Sequence, residues 1–351
     1  MHNSFPVQPQ TLLEYKRYSD QVLLDMSEIM SDSKNPLVKE TLLSLHRNEY
    51  YYHLEYYQKI IINFLFFRDY HYLNTYLRWR KGLYSGRGID EKFLIFENEE
   101  LLRTTLYYIK KPLSQDMTKL HGYVTAFYNE MFLEESDEEQ QPIEPEVKKL
   151  YTNSLEGESE AFREALRKNA PTLEAFCDFF TSKISKVLTH IGTEWQKSLI
   201  TVAQEHRSTA LIRDAVYAHL ETFPSQESRA EKFFISSVAG EQHSFGLELT
   251  SKILHLLGYE VATLGSKFSK EEVVSALYEF GPHHLLFVLT LPTSLIHVAE
   301  LIAQIHTEDL PTRPKSYVAG GALGTLSNPY ASLECDYYFA DFTDFYRKFS
   351  P

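Results

Sequence analysis

The sequence predicts a C-terminal α/β domain, five parallel strands with helices on both faces, preceded by two regions that are helical throughout. Three observations carry this. Up to about Pro224 the apolar residues recur at helical spacing. From Lys232 on, short apolar runs of strand length alternate with helical stretches. Between the two helical regions stands an acidic run with two prolines and no apolar period.

Residues 1–132 read as one all-helical domain of unassigned role. Leu12, Leu13, Tyr15 and Tyr18, then Leu23, Leu24, Met26 and Ile29, repeat at the spacing of a helix face. From Tyr50 to Tyr84 the chain is unusually aromatic, with Tyr56, Tyr57, Phe64, Phe66, Phe67 and Trp79 among others. Aromatic residues at helical spacing are expected to pack a core. Ser85, Gly86, Arg87 and Gly88 mark a loop. Residues 133–145, from Glu134 and Glu135 to Pro142 and Pro145, are expected to be a solvated linker.

Residues 146–228 are helical again. One helix is expected over 158–169, and the next opens at Pro171 and Thr172, with the proline in its first turn. It carries Leu173, Phe176, Phe179, Phe180, Ile184 and Leu188 on one face and runs as one element toward Trp195. Lys197, Ser198 and Leu199 form a turn, and Thr201 with Gln204 resembles a capping box.

Residues 229–351 change period. Strands are expected over 232–238, 259–264, 285–290, 316–319 and 337–340. Helices fill the intervals, including 270–280 and 294–306, with a helical turn opening at Gly320 and Gly321 and a short helix closing the chain. Strands alternating with helices require right-handed crossovers and a parallel sheet. Such sheets take their ligands beyond the carboxyl ends of the strands.

Composition narrows the function classes. The chain has 351 residues with 43% hydrophobic and 24% charged side chains, ordinary for a globular protein. Its apolar run over 60–67 is too short to span a bilayer, so no membrane partner is expected. A net charge of −13 argues against direct contact with nucleic acid. Two cysteines, Cys177 and Cys335, suggest neither a disulfide framework nor a metal site, which fits a cytoplasmic location. No nucleophile–base motif, phosphate loop or zinc pattern is present. Self-association of the chain is left open.

The residues that carry chemistry follow the first expected strand: Gly240, Glu241, Gln242, His243, Ser244, Phe245 and Gly246. A histidine here projects from the binding edge of the sheet. Glu241 can accept the proton on its far ring nitrogen, which fixes the tautomer and makes the free nitrogen a better metal donor. Gly246 permits close approach of a bulky ligand.

Over residues 146–349 the chain resembles cobalamin-binding proteins: the domain shared by methionine synthases, mutases and B12-dependent photoreceptors. The pattern there is Asp/Glu-x-His-x-x-Gly, then Ser-x-Leu or Ser-x-Thr ending the third strand, then Gly-Gly after the fourth. Glu241, His243 and Gly246, then Val288 to Thr290, then Gly320 and Gly321 stand in those places. The resemblance implies a Rossmann-like domain under a four-helix-bundle cap, holding adenosylcobalamin or methylcobalamin with the cobalt ligated by His243. It places Glu241 and Ser244 beside that ligand, and Gly246, Val288, Thr290, Gly320 and Gly321 along a slot for the displaced lower base. Val288 stands where the pattern has serine.

Trp195, Glu205 and His206 resemble the light-sensing group, which includes the adenosylcobalamin-dependent repressors of carotenoid genes. This implies an upper chamber bordered by Trp195, Gln196, Glu205 and His206. Gln196 stands where those repressors have a histidine that captures the cobalt from above. The expectation is a cobalamin-binding sensor, not an enzyme, that responds to light or ligand and signals through a regulatory protein partner. The alternative is a corrinoid carrier of a methyltransferase system.

Overall fold

The computed structural model describes residues 6–45, 47–133, 143–238, 240–241, 243–265 and 268–351, and the side chains of all of these except 47 and 48. The acidic stretch 134–142 and Gln242 therefore lie outside the described residues. The chain divides into two compact units, Met1–Glu139 with Gln196–Leu199, and Gln140–Trp195 with Ile200–Pro351. Among the described residues no helix is long and apolar enough to cross a membrane.

The first unit is built from α1 (Pro9–Ser31), α2 (Pro36–Ser44), α3 (Arg47–Phe67), α4 (Tyr70–Gly86), α5 (Lys92–Tyr108) and α6 (Ser114–Leu133). Local chemistry sets its breaks. Asn35 accepts from the Leu37 amide at the start of α2, with Pro36 suited to the first position. Asp69 accepts from the His71 and Tyr72 amides and so starts α4 one residue after Arg68 turns left-handed (φ 55°). Tyr50, Tyr57, Phe64, Tyr72 and Tyr84 of the aromatic stretch are fully buried and share the core with Tyr15, Phe93 and Tyr128, whereas Tyr52 is exposed. At its centre Arg80 pairs with Glu97, both buried, and the guanidinium lies 4.5 Å from the Tyr57 ring and 4.9 Å from the Tyr84 ring.

The second unit begins with α7 (Pro145–Glu156), α8 (Ser159–Asn169) and α9 (Leu173–Phe179). Pro171 is not in a first helical turn. Thr172 is the N-cap, extended, its hydroxyl accepting from the Ala175 amide at 3.2 Å, so the helix starts at Leu173. Nor does one helix run to Trp195. A π-helical turn, Phe180–Ile184, separates α9 from α10 (Ser185–Gln196). Where this wider turn lies, Phe180 meets Phe342 and Phe245 at 4.9 and 6.1 Å between centroids. The capping box at Thr201 and Gln204 is complete and opens α11 (Val202–Leu220).

The sheet follows: β1 (Lys232–Ser236), α12 (Phe245–Leu256), β2 (Glu260–Leu264), α13 (Lys270–Phe280), β3 (His284–Val288), α14 (Leu295–Thr307), β4 (Lys315–Ala319), α15 (Pro329–Leu333), β5 (Tyr337–Phe339) and α16 (Phe342–Phe349). Its five strands are parallel, in the order β2-β1-β3-β4-β5, so the strand order reverses between β1 and β3. β1 and β3 each stop two residues short of the expected end, because the chain turns out of the sheet there to build the edge described below. α15 has no counterpart in the sequence reading. The central strand β3 is buried at every position, as a strand covered on both faces must be.

Helices α7–α11 and the sheet share one core, in which Phe176, Ile184 and Ile212 join Phe233, Leu249, Leu286 and Phe349. Each such side chain contributes about 1.5–3 kcal/mol by leaving water. Tyr217 on α11 also donates to Glu248 on α12 at 2.5 Å, which ties the helical layer to the first helix of the α/β part.

Candidate functional site

The carboxyl ends of β1 and β3, at the reversal of strand order, are joined by one buried side chain. After β1 the backbone turns through Gly240 (φ 89°), and the Glu241 amide bonds back to the Val238 carbonyl. This turn points Glu241 inward, where it is 2% exposed. Its Oε1 accepts the His243 amide at 3.0 Å and faces His243 Nδ1 at 2.9 Å. Its Oε2 accepts the amides of Thr290 and Leu291, beyond the end of β3, at 2.8 and 2.9 Å.

Burial alone would push the Glu241 carboxyl up. The hydrogen bonds from the His243 ring and the Leu291, His243 and Thr290 amides outweigh it and hold the group below its ordinary range. An ionised carboxylate only accepts, so the neutral His243 ring carries its proton on Nδ1 and offers a lone pair at Nε2. The side chain of His243 is 54% exposed, and among the described residues Nε2 has no partner. Ser244 is exposed and is the N-cap of α12, though its hydroxyl caps nothing.

The described residues contain no group of three or more His, Cys, Asp or Glu side chains able to hold a metal ion. A single oriented imidazole suits a metal that brings its other ligands with it, as the metal of a macrocycle does. In this respect the residues fit the cobalt group that the sequence suggested.

The space around His243 differs from the slot expected of the glycines. A Cβ on Gly246 would stand 3.3 Å from Val288 Cγ1, so Val288, only 6% exposed, fills that side. Gly320 (φ 112°) is required by the chain itself, since a Cβ there would lie 2.0 Å from the Leu289 carbonyl oxygen. Gly321 faces open space. Thr290 is exposed and contributes its amide. Neither a groove of about 410 Å³ between α7 and α10, bordered by Val147, Lys186 and His190, nor a void of about 50 Å³ bordered by Val273 and His297 includes His243.

The residues expected above the cofactor lie on α10 (Trp195, Gln196) and α11 (Glu205, His206). Trp195 is half-buried against the shared core. Glu205 pairs with His206 and accepts from Thr209, and the His206 side chain is 76% exposed. Gln196 groups with the first unit, where its amide donates to the Trp79 carbonyl at 2.6 Å. Among the described residues no hydrogen bond or ion pair joins Trp195, Glu205 or His206 to His243. The structure thus brings together Glu241, His243, Thr290, Gly246 and Val288. Leu291, which the sequence reading missed, belongs with them, and Pro292 is the one signal for it, since a residue before proline stays extended.

No family model matches the sequence. A corrinoid protein of Desulfitobacterium hafniense (strain Y51) is 23% identical over 172 residues, which cover 48% of this chain and 79% of that protein. Among solved structures, a cobalamin-binding protein from Desulfitobacterium hafniense DCB-2 is 15% identical with a TM-score of 0.33, over 57% of this chain and 96% of that one. The monomethylamine corrinoid protein of Methanosarcina barkeri is 18% identical with a TM-score of 0.44, over 56% of this chain and 92% of that one. In sequence, the chain resembles corrinoid proteins.

Proposed function

We propose that the second unit binds a corrinoid, with His243 Nε2 as the ligand beneath the cobalt, and that the protein carries a cobalt-bound group, such as methyl, for a partner protein. The observation that supports this most is the buried Glu241 carboxylate on His243 Nδ1. It fixes the tautomer and orients the ring, which leaves the lone pair of the exposed nitrogen facing outward for a metal. The similarity to a corrinoid protein supports the same ligand class. A corrinoid supplies a cobalt–carbon bond from which an alkyl group can be handed on.

The chain's own residues supply binding and orientation. Glu241 holds the Nδ1 proton, and its bonds to the Thr290 and Leu291 amides keep the loops after β1 and β3 in register. A carrier is favoured over a light sensor by Gln196. The histidine that would trap the cobalt from above is absent at that position, and the Gln196 amide is engaged with Trp79.

Titration of the full chain with aquocobalamin, followed by absorption, tests the reading. A saturable shift from base-on to histidine-ligated spectrum is expected in the wild type and not in His243→Ala. An identical spectrum in both proteins would remove His243 from the site.

A further inference from the structure

We infer that Val288 closes the crevice beside His243 to a corrinoid's own nucleotide base, so that the second unit prefers a corrinoid lacking that base to cobalamin. The inference rests on the corrinoid reading above and concerns which corrinoid is preferred. Cobalt in a corrin has two axial positions. If His243 occupies the lower one, the nucleotide base tethered to that face must leave the metal and lie on the side of His243. In a sheet of this order the natural receptacle is the crevice where strand order reverses, here between β1 and β3.

On the Gly246 side that crevice is closed by Val288. Val288 Cγ1 lies 3.3 Å from the Cβ position of Gly246, leaving contact distance and nothing more. Leu289 is fully buried, its carbonyl held against Gly320. Glu241 spans the mouth, bonded to His243 on one side and to the Thr290 and Leu291 amides on the other. Inserting a flat aromatic base here would displace a buried valine and break charge-assisted hydrogen bonds, which the base's one neutral acceptor nitrogen does not replace in full. A base left in solvent makes no contact with the chain, and cobalamin alone has its cobalt–base bond to break before His243 can bind.

The test is parallel titration of the full chain with aquocobalamin and with diaquocobinamide, which has no nucleotide, read by absorption and calorimetry. The wild type is expected to bind diaquocobinamide more tightly than aquocobalamin, by about tenfold or more, because only in cobalamin must His243 displace the base. Val288→Ala opens the crevice and is expected to shift the ratio of the two affinities toward cobalamin by about tenfold. Equal binding, or any wild-type preference for cobalamin, would overturn the inference and leave the corrinoid reading standing. Binding of neither compound would overturn both. The wild-type comparison needs no variant, so poor folding of Val288→Ala does not rescue the idea.

Discussion

The two units bury ionisable groups in opposite ways. In the first, Arg80 and Glu97 pair in the middle of a helical core, enclosed by Tyr57 and Tyr84, with nothing exposed beside them. Tyr15 Oη, Thr105 Oγ1 and Gln58 Nε2 are buried nearby in that unit without hydrogen-bond partners among the described residues. In the second, the buried carboxylate Glu241 sits at the sheet edge with both oxygens satisfied, and one of its partners is an exposed side chain. Buried charge therefore marks a candidate site only where it orients something a ligand can reach. By that criterion Arg80 and Glu97 hold a core together and Glu241 prepares His243.

The comparison predicts different losses. Arg80→Met strands Glu97 in the core and is expected to cost about 3–5 kcal/mol in urea unfolding. Replacing both partners by apolar residues should recover most of that loss. An unchanged midpoint for Arg80→Met would mean that the pair is solvated in solution. At the sheet edge, Gly320→Ala forces a Cβ into the Leu289 carbonyl at a backbone angle unsuited to it, and about 3 kcal/mol should be lost. Glu241→Gln turns an amide donor toward the donors of Thr290, Leu291 or His243. It should cost about 1–3 kcal/mol of stability and weaken corrinoid binding by about tenfold or more.

A pH prediction belongs to the first unit. Burial pushes His121 down to about 4, while Asn98 opposes this weakly. A folded-state value below the ordinary 6.5 makes the neutral ring part of the native state. Its contribution is complete above pH 6.5 and is lost as pH falls toward about 4, where folded protein also takes up the proton. The slope is at most about 1.4 kcal/mol per pH unit, and His121→Gln should flatten it in denaturation measured across that window. The smallest stability effect expected is that of Thr201→Ala, about 1 kcal/mol from loss of the cap on α11.

Much of the second unit was legible because its signals are local. The strand and helix alternation reflects burial on both faces of a parallel sheet, and the capping box at Thr201 comes from a side chain reaching an amide three residues on. Glu241 beside His243 was legible for the same reason, being two residues away. Contacts set by tertiary packing were not. The π turn at Phe180 lies where its ring packs between Phe245 and Phe342, far along the chain. The Leu291 amide reaches Glu241 only because β1 and β3 are neighbours. That Gly320 accommodates the Leu289 carbonyl depends on the same sheet order. Arg80 and Glu97 lie on different helices, and nothing in their sequence spacing pairs them.

The most direct test of the account is electron paramagnetic resonance of the reduced, cobalt(II) corrinoid complex, prepared with protein carrying ¹⁵N-labelled histidine. The account predicts that nitrogen hyperfine lines change from triplets to doublets on labelling, and that this change disappears in His243→Ala. Lines that stay as triplets, or that lack nitrogen splitting altogether, would contradict ligation by His243.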